Sequence, residues 1–176
     1  MNKTIFINKL IKFSNWRTQL EKKIIIVRGT GEGSTALSAF DDALHNARIG
    51  NFNLVKLSSI IPKNAVIELK ERYDIPYEIG QVQPVVISHS ESNETGLEIS
   101  AGLGWALANE GGVFIEISGC FSENQCLTEI NTTLNDMMKR RDWNWTKKTN
   151  TYTVSTTVKD VFSSVVVCAI YTFVRI

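Results

Sequence analysis

Two adjacent serines in an apolar run are the first residues of this sequence whose types and spacing could do chemistry. Ser58 and Ser59 lie in Leu57-Ser-Ser-Ile-Ile-Pro62, and a buried hydroxyl costs roughly 1–3 kcal/mol if it stays unpaired. Most serines in such a place simply bond to backbone groups. A hydrolase triad is not indicated, because no Gly-x-Ser-x-Gly elbow surrounds the pair and neither histidine is close in sequence. A structural role and a chemical role both remain open.

Three carboxylates are the next candidates. Glu116 lies in an apolar run at residues 113–118. On an alternating strand it either faces solvent or faces inward, where burial would raise its pKa toward neutrality, as in a general acid. Asp41 borders the apolar stripe of a predicted helix, which suits it to pair with a guanidinium group or, equally, with a cation of its own chain. Asp42 points away from that stripe and is expected to be solvated.

A glycine loop, Gly29-Thr-Gly-Glu-Gly33, follows an apolar run and precedes the predicted helix. This context is typical of a dinucleotide-binding fingerprint, but the third glycine position is Ser34 and no acidic residue follows about 20 residues later. A phosphate-binding P-loop is also unsupported, because the loop has no lysine. The pattern favours a tight turn that leads into a helix capped by Ser34, with an anion site as the alternative.

The elements that must position these residues indicate a mixed α+β layer fold in one domain. Strands are predicted at residues 24–27, 53–61, 84–87, 113–117, 151–158 and 164–174. Helices are predicted at residues 34–49, at 101–108 and after the capping box of Ser122 and Gln125. The stripe of the first helix consists of Ala36, Leu37, Phe40, Ala43, Leu44 and Ala47. Residues 63–82 are expected to be rich in loops, residues 89–95 to form a polar loop, and residues 1–22 to form a peripheral strand or helix.

Composition excludes several classes of function. The 176 residues include 19 basic and 18 acidic ones, so the net charge of +1 provides no field that would attract nucleic acid. Three cysteines and two histidines, without a Cys-x-x-Cys pair, support neither a zinc site nor a disulfide framework, and Cys168 is expected to be a small buried hydrophobe. No run approaches the roughly 20 apolar residues that would span a membrane. We therefore expect a cytoplasmic protein without a metal, nucleic-acid or membrane partner.

Three stretches, in this order, resemble the pyruvoyl-dependent arginine decarboxylase family. They are Gly29-Thr-Gly-Glu-Gly-Ser-Thr-Ala-Leu-Ser-Ala-Phe-Asp-Asp-Ala-Leu44, Asn51-Phe-Asn-Leu-Val-Lys-Leu-Ser-Ser-Ile-Ile-Pro62 and Gly112-Val-Phe-Ile-Glu-Ile117. The resemblance runs over residues 24–142, and the apolar C-terminal strand also fits. Its specific part is the Leu-Ser-Ser-Ile-Ile-Pro element together with the upstream helix. Residues 1–22 and 88–98 carry no match.

The resemblance implies a proenzyme that cuts itself at a serine. The Ser59 hydroxyl would attack the carbonyl of Ser58, and elimination from the resulting ester would leave chains 1–58 and 59–176 with a pyruvoyl group at position 59. This covalently bound pyruvate takes the place of pyridoxal phosphate: it forms a Schiff base with L-arginine and accepts the electrons released with CO2, and the product is agmatine. The family's fold is a four-layer αββα sandwich that assembles as a trimer of two-chain protomers, or as a hexamer, with active sites between subunits.

Residue roles are also implied by the resemblance. Glu116 would protonate the carbanion after CO2 leaves, and Asn53 would assist self-cleavage or orient the substrate. Asp41, Leu37 and Ser58 would bind the substrate, with Asp41 on its guanidinium group. On a straight strand Asn53 and Ser59 would lie roughly 20 Å apart, at about 3.3 Å per residue. They can therefore meet only across a subunit boundary or after a sharp bend.

Other functions remain as alternatives. The same fold could decarboxylate another amino acid, such as histidine, in which case Asp41 would matter little. A domain without enzymatic activity could bind an anion or small molecule at the glycine loop and the helix N-terminus. A third alternative is an inactive subunit that shapes an oligomer, although the intact Ser58-Ser59 pair argues against it.

Overall fold

A computed structural model describes residues 21–174, which form nine strands and two helices. The strands are β1 (Lys22–Gly33), β2 (Asn53–Lys56), β3 (Ile60–Ile61), β4 (Ala65–Leu69), β5 (Val82–Ser92), β6 (Glu98–Ala108), β7 (Gly112–Gly119), β8 (Trp145–Thr157) and β9 (Phe162–Tyr171). The helices are α1 (Ala36–Asn46) and α2 (Glu123–Lys139). The predicted mixed α+β fold is confirmed. The prediction for residues 1–22 falls almost entirely outside the described residues.

The strands form two sheets. The five-stranded sheet has the order β2-β5-β9-β1-β4, and the four-stranded sheet has the order β3-β7-β6-β8. Strand β1 is interior to the first sheet, since it pairs with β9 in antiparallel fashion and with β4 in parallel fashion. Strands β2 and β3 follow each other in sequence but belong to different sheets. The segment between them, residues 57–59, therefore carries the chain from one sheet to the other.

Three apolar clusters hold these elements together. The largest combines residues of both sheets, among them Ile24 and Ile26 of β1 and Leu103 of β6. A second joins α1 to the five-stranded sheet and includes Ile25 and Val27. The third joins α2 to the four-stranded sheet through Cys126, Ile130 and Leu134. Because successive side chains of a strand point to opposite faces, neighbouring residues of β1 divide between two clusters, and residues 24–27 are all apolar.

The N-cap of the first helix lies one residue later than predicted, and the helix ends at Asn46 instead of Ile49. Its N-cap is Thr35 and not Ser34: the Thr35 hydroxyl accepts a hydrogen bond from the backbone N–H of Ser38 at 3.1 Å. The buried side also differs, because Ala39 is buried while Leu37 is 76% exposed. In the second helix the capping box of Ser122 and Gln125 is confirmed.

The helix predicted at residues 101–108 is wrong, because these residues belong to strand β6. Residues 101–106 are all buried, and successive side chains point to opposite faces of the sheet, as in a strand. Leu103 and Trp105 enter the cluster between the sheets, whereas Gly104 faces α2, where an added Cβ would overlap Ile130. The glycine therefore permits the close approach of the helix to the sheet.

Three other element boundaries differ from the prediction. The strand expected at residues 53–61 is broken at residues 57–59, and the segment 63–82 contains strand β4. The strand expected at residues 84–87 extends through His89 to Ser92, so that the predicted polar loop begins later.

Cys168 is fully buried, as expected, and burial raises the pKa of its thiol.

The substitution Gly104→Ala should lower the free energy of unfolding by about 1–3 kcal/mol, because the new methyl group overpacks the contact with Ile130. Urea denaturation measures the change. In a double-mutant cycle, adding Ile130→Ala should recover part of the loss, since it removes the atoms that the new Cβ meets. Additive losses would contradict the proposed contact.

Candidate active site at the crossing between the sheets

The backbone at Ser59 adopts a conformation that is rare for a residue with a side chain. Its φ is 51°, in the left-handed region, which costs on the order of 1–3 kcal/mol and persists only where the surroundings enforce it. On one side, the Leu57 N–H donates to the Val85 carbonyl in the five-stranded sheet at 2.8 Å. On the other side, the Phe114 N–H donates to the Ser59 carbonyl in the four-stranded sheet at 2.8 Å. The sharp bend at Ser59 thus lies between two anchored segments.

Glu116 faces Ser59 from strand β7. The Ser59 Oγ donates a hydrogen bond of 2.7 Å to Glu116 Oε2, and the Glu116 side chain is 21% exposed. Glu116 shares a strand face with Phe114, which lies in the cluster between the sheets, so the inward of the two predicted orientations is the observed one. A carboxylate in this position can accept the hydroxyl proton and so make the oxygen a nucleophile.

Lys56 lies near this pair, and sequence reasoning missed it. Its Nζ is 4.0 Å from Glu116 Oε1, and its side chain is 63% exposed. The signal available in the sequence was a lysine two positions before the serine pair, within the strand predicted at residues 53–61. A single charged residue there is too common to stand out.

Tyr171 is the second residue that sequence reasoning missed. It is 2% exposed, and its hydroxyl donates to the carbonyl of Ile60, directly after Ser59, at 2.9 Å. Burial, and next the negative charge of Glu116, raise the pKa of the Tyr171 hydroxyl. Like the two serines, Tyr171 places a hydroxyl group at the end of an apolar run, and this pattern could have predicted a buried hydrogen bond there.

Ser58 and Asn53 have surroundings different from those of Ser59. Ser58 is exposed, and its side chain makes no hydrogen bond to residues 21–174. Asn53 is also exposed, and its side-chain amide donates to the carbonyl of Gly80 at 2.7 Å. The single chain therefore does not bring Asn53 into hydrogen-bond contact with Ser59, although the chain bends sharply between them.

The residues predicted to bind substrate lie on α1, in a different layer from the Ser59–Glu116 pair. Asp41 is exposed and forms neither a hydrogen bond nor a salt bridge with the part of the chain that the structure describes. Leu37, one turn earlier, is the exposed apolar residue noted above. Helix α1 packs on the face of the five-stranded sheet that contains Ile25 and Val27, whereas Glu116 points toward the opposite, sheet–sheet side. One chain alone does not join the two groups.

The prediction that Asp42 is merely solvated is wrong. Asp42 is half-buried, and its Oδ2 accepts the backbone N–H of Glu32 at 2.9 Å. This part of β1 has no neighbouring strand on that side, because β4 pairs only with its first half. Asp42 therefore satisfies a donor on the open edge of the strand.

The glycine run forms part of a strand and not a turn. Residues 29–33 pair with β9 in regular register. A Cβ at Gly31 would overlap the backbone of Ala39 and Ala43, so the missing side chain lets α1 lie close to the sheet. The run thus has a packing role, and the expected loop at the start of a helix is shortened to residues 34 and 35.

Residues 21–174 provide neither a cluster of metal ligands nor a membrane-spanning helix. They contain no group of three or more His, Cys, Asp or Glu side chains placed to hold a metal ion. Neither helix there is long and apolar enough to cross a membrane.

Comparison with known proteins identifies the family. The model of the family described as pyruvoyl-dependent arginine decarboxylase matches residues 23–175. A pyruvoyl-dependent arginine decarboxylase of Thermococcus kodakarensis is 42% identical over 132 residues, which cover 73% of this chain and 80% of the relative. A protein of the same name from Pyrococcus abyssi is 39% identical over 148 residues, or 83% of this chain and 90% of the relative. The resemblance seen in the sequence is confirmed, and this chain belongs to the pyruvoyl-dependent arginine decarboxylase family.

Proposed function

We propose that this protein is a proenzyme that cuts itself between Ser58 and Ser59 and then decarboxylates L-arginine to agmatine and CO2. The observation that carries the proposal is the 2.7 Å hydrogen bond from the Ser59 hydroxyl to the Glu116 carboxylate, at a strained residue of a chain in this family. The products are residues 1–58 and 59–176 of a single domain.

The self-cleavage uses groups that already lie in contact. Glu116 accepts the proton of Ser59 Oγ while this oxygen attacks the Ser58 carbonyl carbon, and the C–N bond breaks as the Ser59 nitrogen takes up a proton. The resulting ester then loses the Ser59 α-proton, its Cβ–Oγ bond breaks, and residue 58 leaves as a carboxylate. Hydrolysis of the dehydroalanine at position 59 consumes water, releases ammonia and leaves the ketone.

The residues around Ser59 fit a pyruvoyl group at this position, since its precursor is held by Glu116 and by the Phe114 N–H. The group supplies a ketone that condenses with the substrate amine and takes up the electron pair released with CO2. Glu116 holds a proton within reach of the same position and can deliver it to the carbon that loses CO2. Asn53, whose amide is bound to Gly80, serves substrate orientation or self-cleavage across a subunit boundary.

Binding of the substrate guanidinium group is assigned to Asp41 and Leu37 of a neighbouring subunit, and Ser58 contributes its new carboxylate after cleavage. The separation of α1 from the Ser59–Glu116 pair within one chain supports sites between the subunits of a trimer. Apolar residues exposed at both places support the same assembly, since Leu37 is 76% and Ile60 48% exposed. The three apolar clusters support the αββα order of layers. A cytoplasmic location, and trimers paired into hexamers, stay predictions.

The nearest alternative is decarboxylation of another amino acid on the same machinery, and the role of Asp41 distinguishes the two. An anion-binding domain is less well supported. The glycine run on which it depends pairs with β9 as a strand, and its Gly29 and Gly31 pack directly against the backbone of α1.

Replacement of Ser59 by alanine should leave one uncut chain without a reactive ketone, because the attacking oxygen is gone. Denaturing electrophoresis and a carbonyl reagent measure both results. Ser58→Ala is the matched control and should still be cut, since residue 58 contributes its backbone carbonyl to the reaction. Cleavage of Ser59→Ala would show that another residue is the nucleophile.

Asp41→Asn should raise KM for arginine about 10- to 100-fold with little change in kcat, because a charge-assisted hydrogen bond to the guanidinium group is lost. Steady-state kinetics separate the two parameters. The neighbouring Asp42→Asn, which affects only the edge of β1, should leave KM unchanged. An unchanged KM in Asp41→Asn would favour a substrate without a guanidinium group.

Sites between subunits predict complementation. Asp41→Asn and Glu116→Gln should each be nearly inactive at low arginine, since one lacks the guanidinium contact and the other the proton carrier. Co-expressed and randomly mixed in trimers, they should regain roughly a quarter of the wild-type activity, because one interface in four then has both groups intact. No recovery in verified mixed trimers would place both groups in the same subunit's site.

A further inference from the structure

Tyr171 connects the end of one sheet to the cleavage junction in the other. It is the last residue of β9 in the five-stranded sheet, where it pairs with Ile24. Its hydroxyl nevertheless donates to the carbonyl of Ile60, in β3 of the four-stranded sheet, at 2.9 Å. Because a buried phenol needs a partner, this contact fixes the ring and the peptide group together.

Within residues 21–174, three hydrogen bonds hold residues 59 and 60. Two of them come from β7: the Phe114 N–H binds the Ser59 carbonyl, and Glu116 accepts the Ser59 hydroxyl. The third is the contact of Tyr171 with Ile60, and it comes from the opposite sheet. A left-handed non-glycine residue such as Ser59 persists only where several contacts enforce it. The Tyr171 hydroxyl binds the residue directly after Ser59, where it can help to hold Ser59 in this conformation.

The Tyr171 ring is itself firmly placed. It packs edge to face against the ring of Phe114, with 6.5 Å between the centroids, and its side chain belongs to the cluster between the sheets. Burial, followed by the charge of Glu116, raises the pKa of its hydroxyl, so that the phenol stays protonated and remains a donor at neutral pH. Both features suit a fixed donor for the Ile60 carbonyl.

We propose that Tyr171 is a positioning residue for self-cleavage: by holding the Ile60 carbonyl, it keeps Ser59 Oγ on Glu116 and directed at the Ser58 carbonyl. This inference rests on the proposed function, because it presupposes cleavage at Ser59. Without the hydroxyl, the Ile60 carbonyl loses its donor and the junction can relax away from the reactive geometry.

The test compares the cleavage rates of freshly synthesised Tyr171→Phe, Tyr152→Phe and wild-type proenzyme. Tyr152 is the matched control: it is half-buried, and its hydroxyl, like that of Tyr171, donates to a backbone carbonyl, that of Lys70, at 3.3 Å. Rates are measured on the folded fraction after size exclusion, and the melting temperature of each uncut form is recorded. Tyr171→Phe should cleave about tenfold more slowly, and Tyr152→Phe within about twofold of wild type.

Hydroxylamine gives a readout that a merely structural role would not change. It cleaves the ester at Ser59 directly, so the amount of chain that it cuts in a short pulse reports how much ester has formed. Positioning of Ser59 by Tyr171 predicts a lower ester yield in Tyr171→Phe, at unchanged folded fraction. Equal cleavage rates and ester yields in Tyr171→Phe and wild type would overturn the inference while leaving the proposed function intact. A wild-type chain that stays uncut and free of ketone would instead overturn the proposed function.

Discussion

The hydrogen bond between Ser59 and Glu116 is the contact on which the proposed chemistry depends, and it exists because the chain changes sheets just before Ser59. Strand β2 ends in one sheet and β3 begins in the other, so residues 57–59 must turn within three residues. The turn places Ser59 in a left-handed conformation beside β7, where Glu116 projects toward it. The fold thus produces both the strain and the proton acceptor. The proposed cleavage would remove the nitrogen that defines φ at residue 59, so this strain would disappear with the peptide bond.

The residues to which the proposed chemistry is assigned are easier to recognise in the sequence than the elements that hold them. Hydroxyls within an apolar run and a carboxylate within another are visible without a structure, because burial of either is costly unless it is paired. Their pairing was not visible, since it depends on the break after Lys56, and the run from Asn53 to Pro62 has the composition of one continuous strand. The local sequence contains no turn signal that would have shown the break. Tertiary contacts enforce it instead.

Errors in the element prediction share a cause. Residues 101–108 are predicted to form a helix and residues 29–33 a turn, yet both segments are glycine-containing strands. In the structure both segments lie beneath helices that approach closely, and the space they leave is filled by Ile130 in one case and by the backbone of α1 in the other. Glycines in a sequence indicate that another element packs closely against them, but they do not show whether the glycines themselves lie in a helix, a strand or a turn. The position of Asp41 could not be derived either, because its partner belongs to another molecule in the proposed assembly.

The interior position of β1 has a consequence for the two-chain form proposed above. This strand precedes the cut, while both of its neighbours, β4 and β9, follow it. The shorter fragment is thus clamped between two strands of the longer one and cannot depart without dismantling the middle of a sheet. Before the cut, folding is unimolecular, whereas afterwards renaturation requires two separate fragments to find each other and so depends on concentration. The uncut chain would therefore fold readily, whereas the cut protein, once denatured, would not readily regain its native structure.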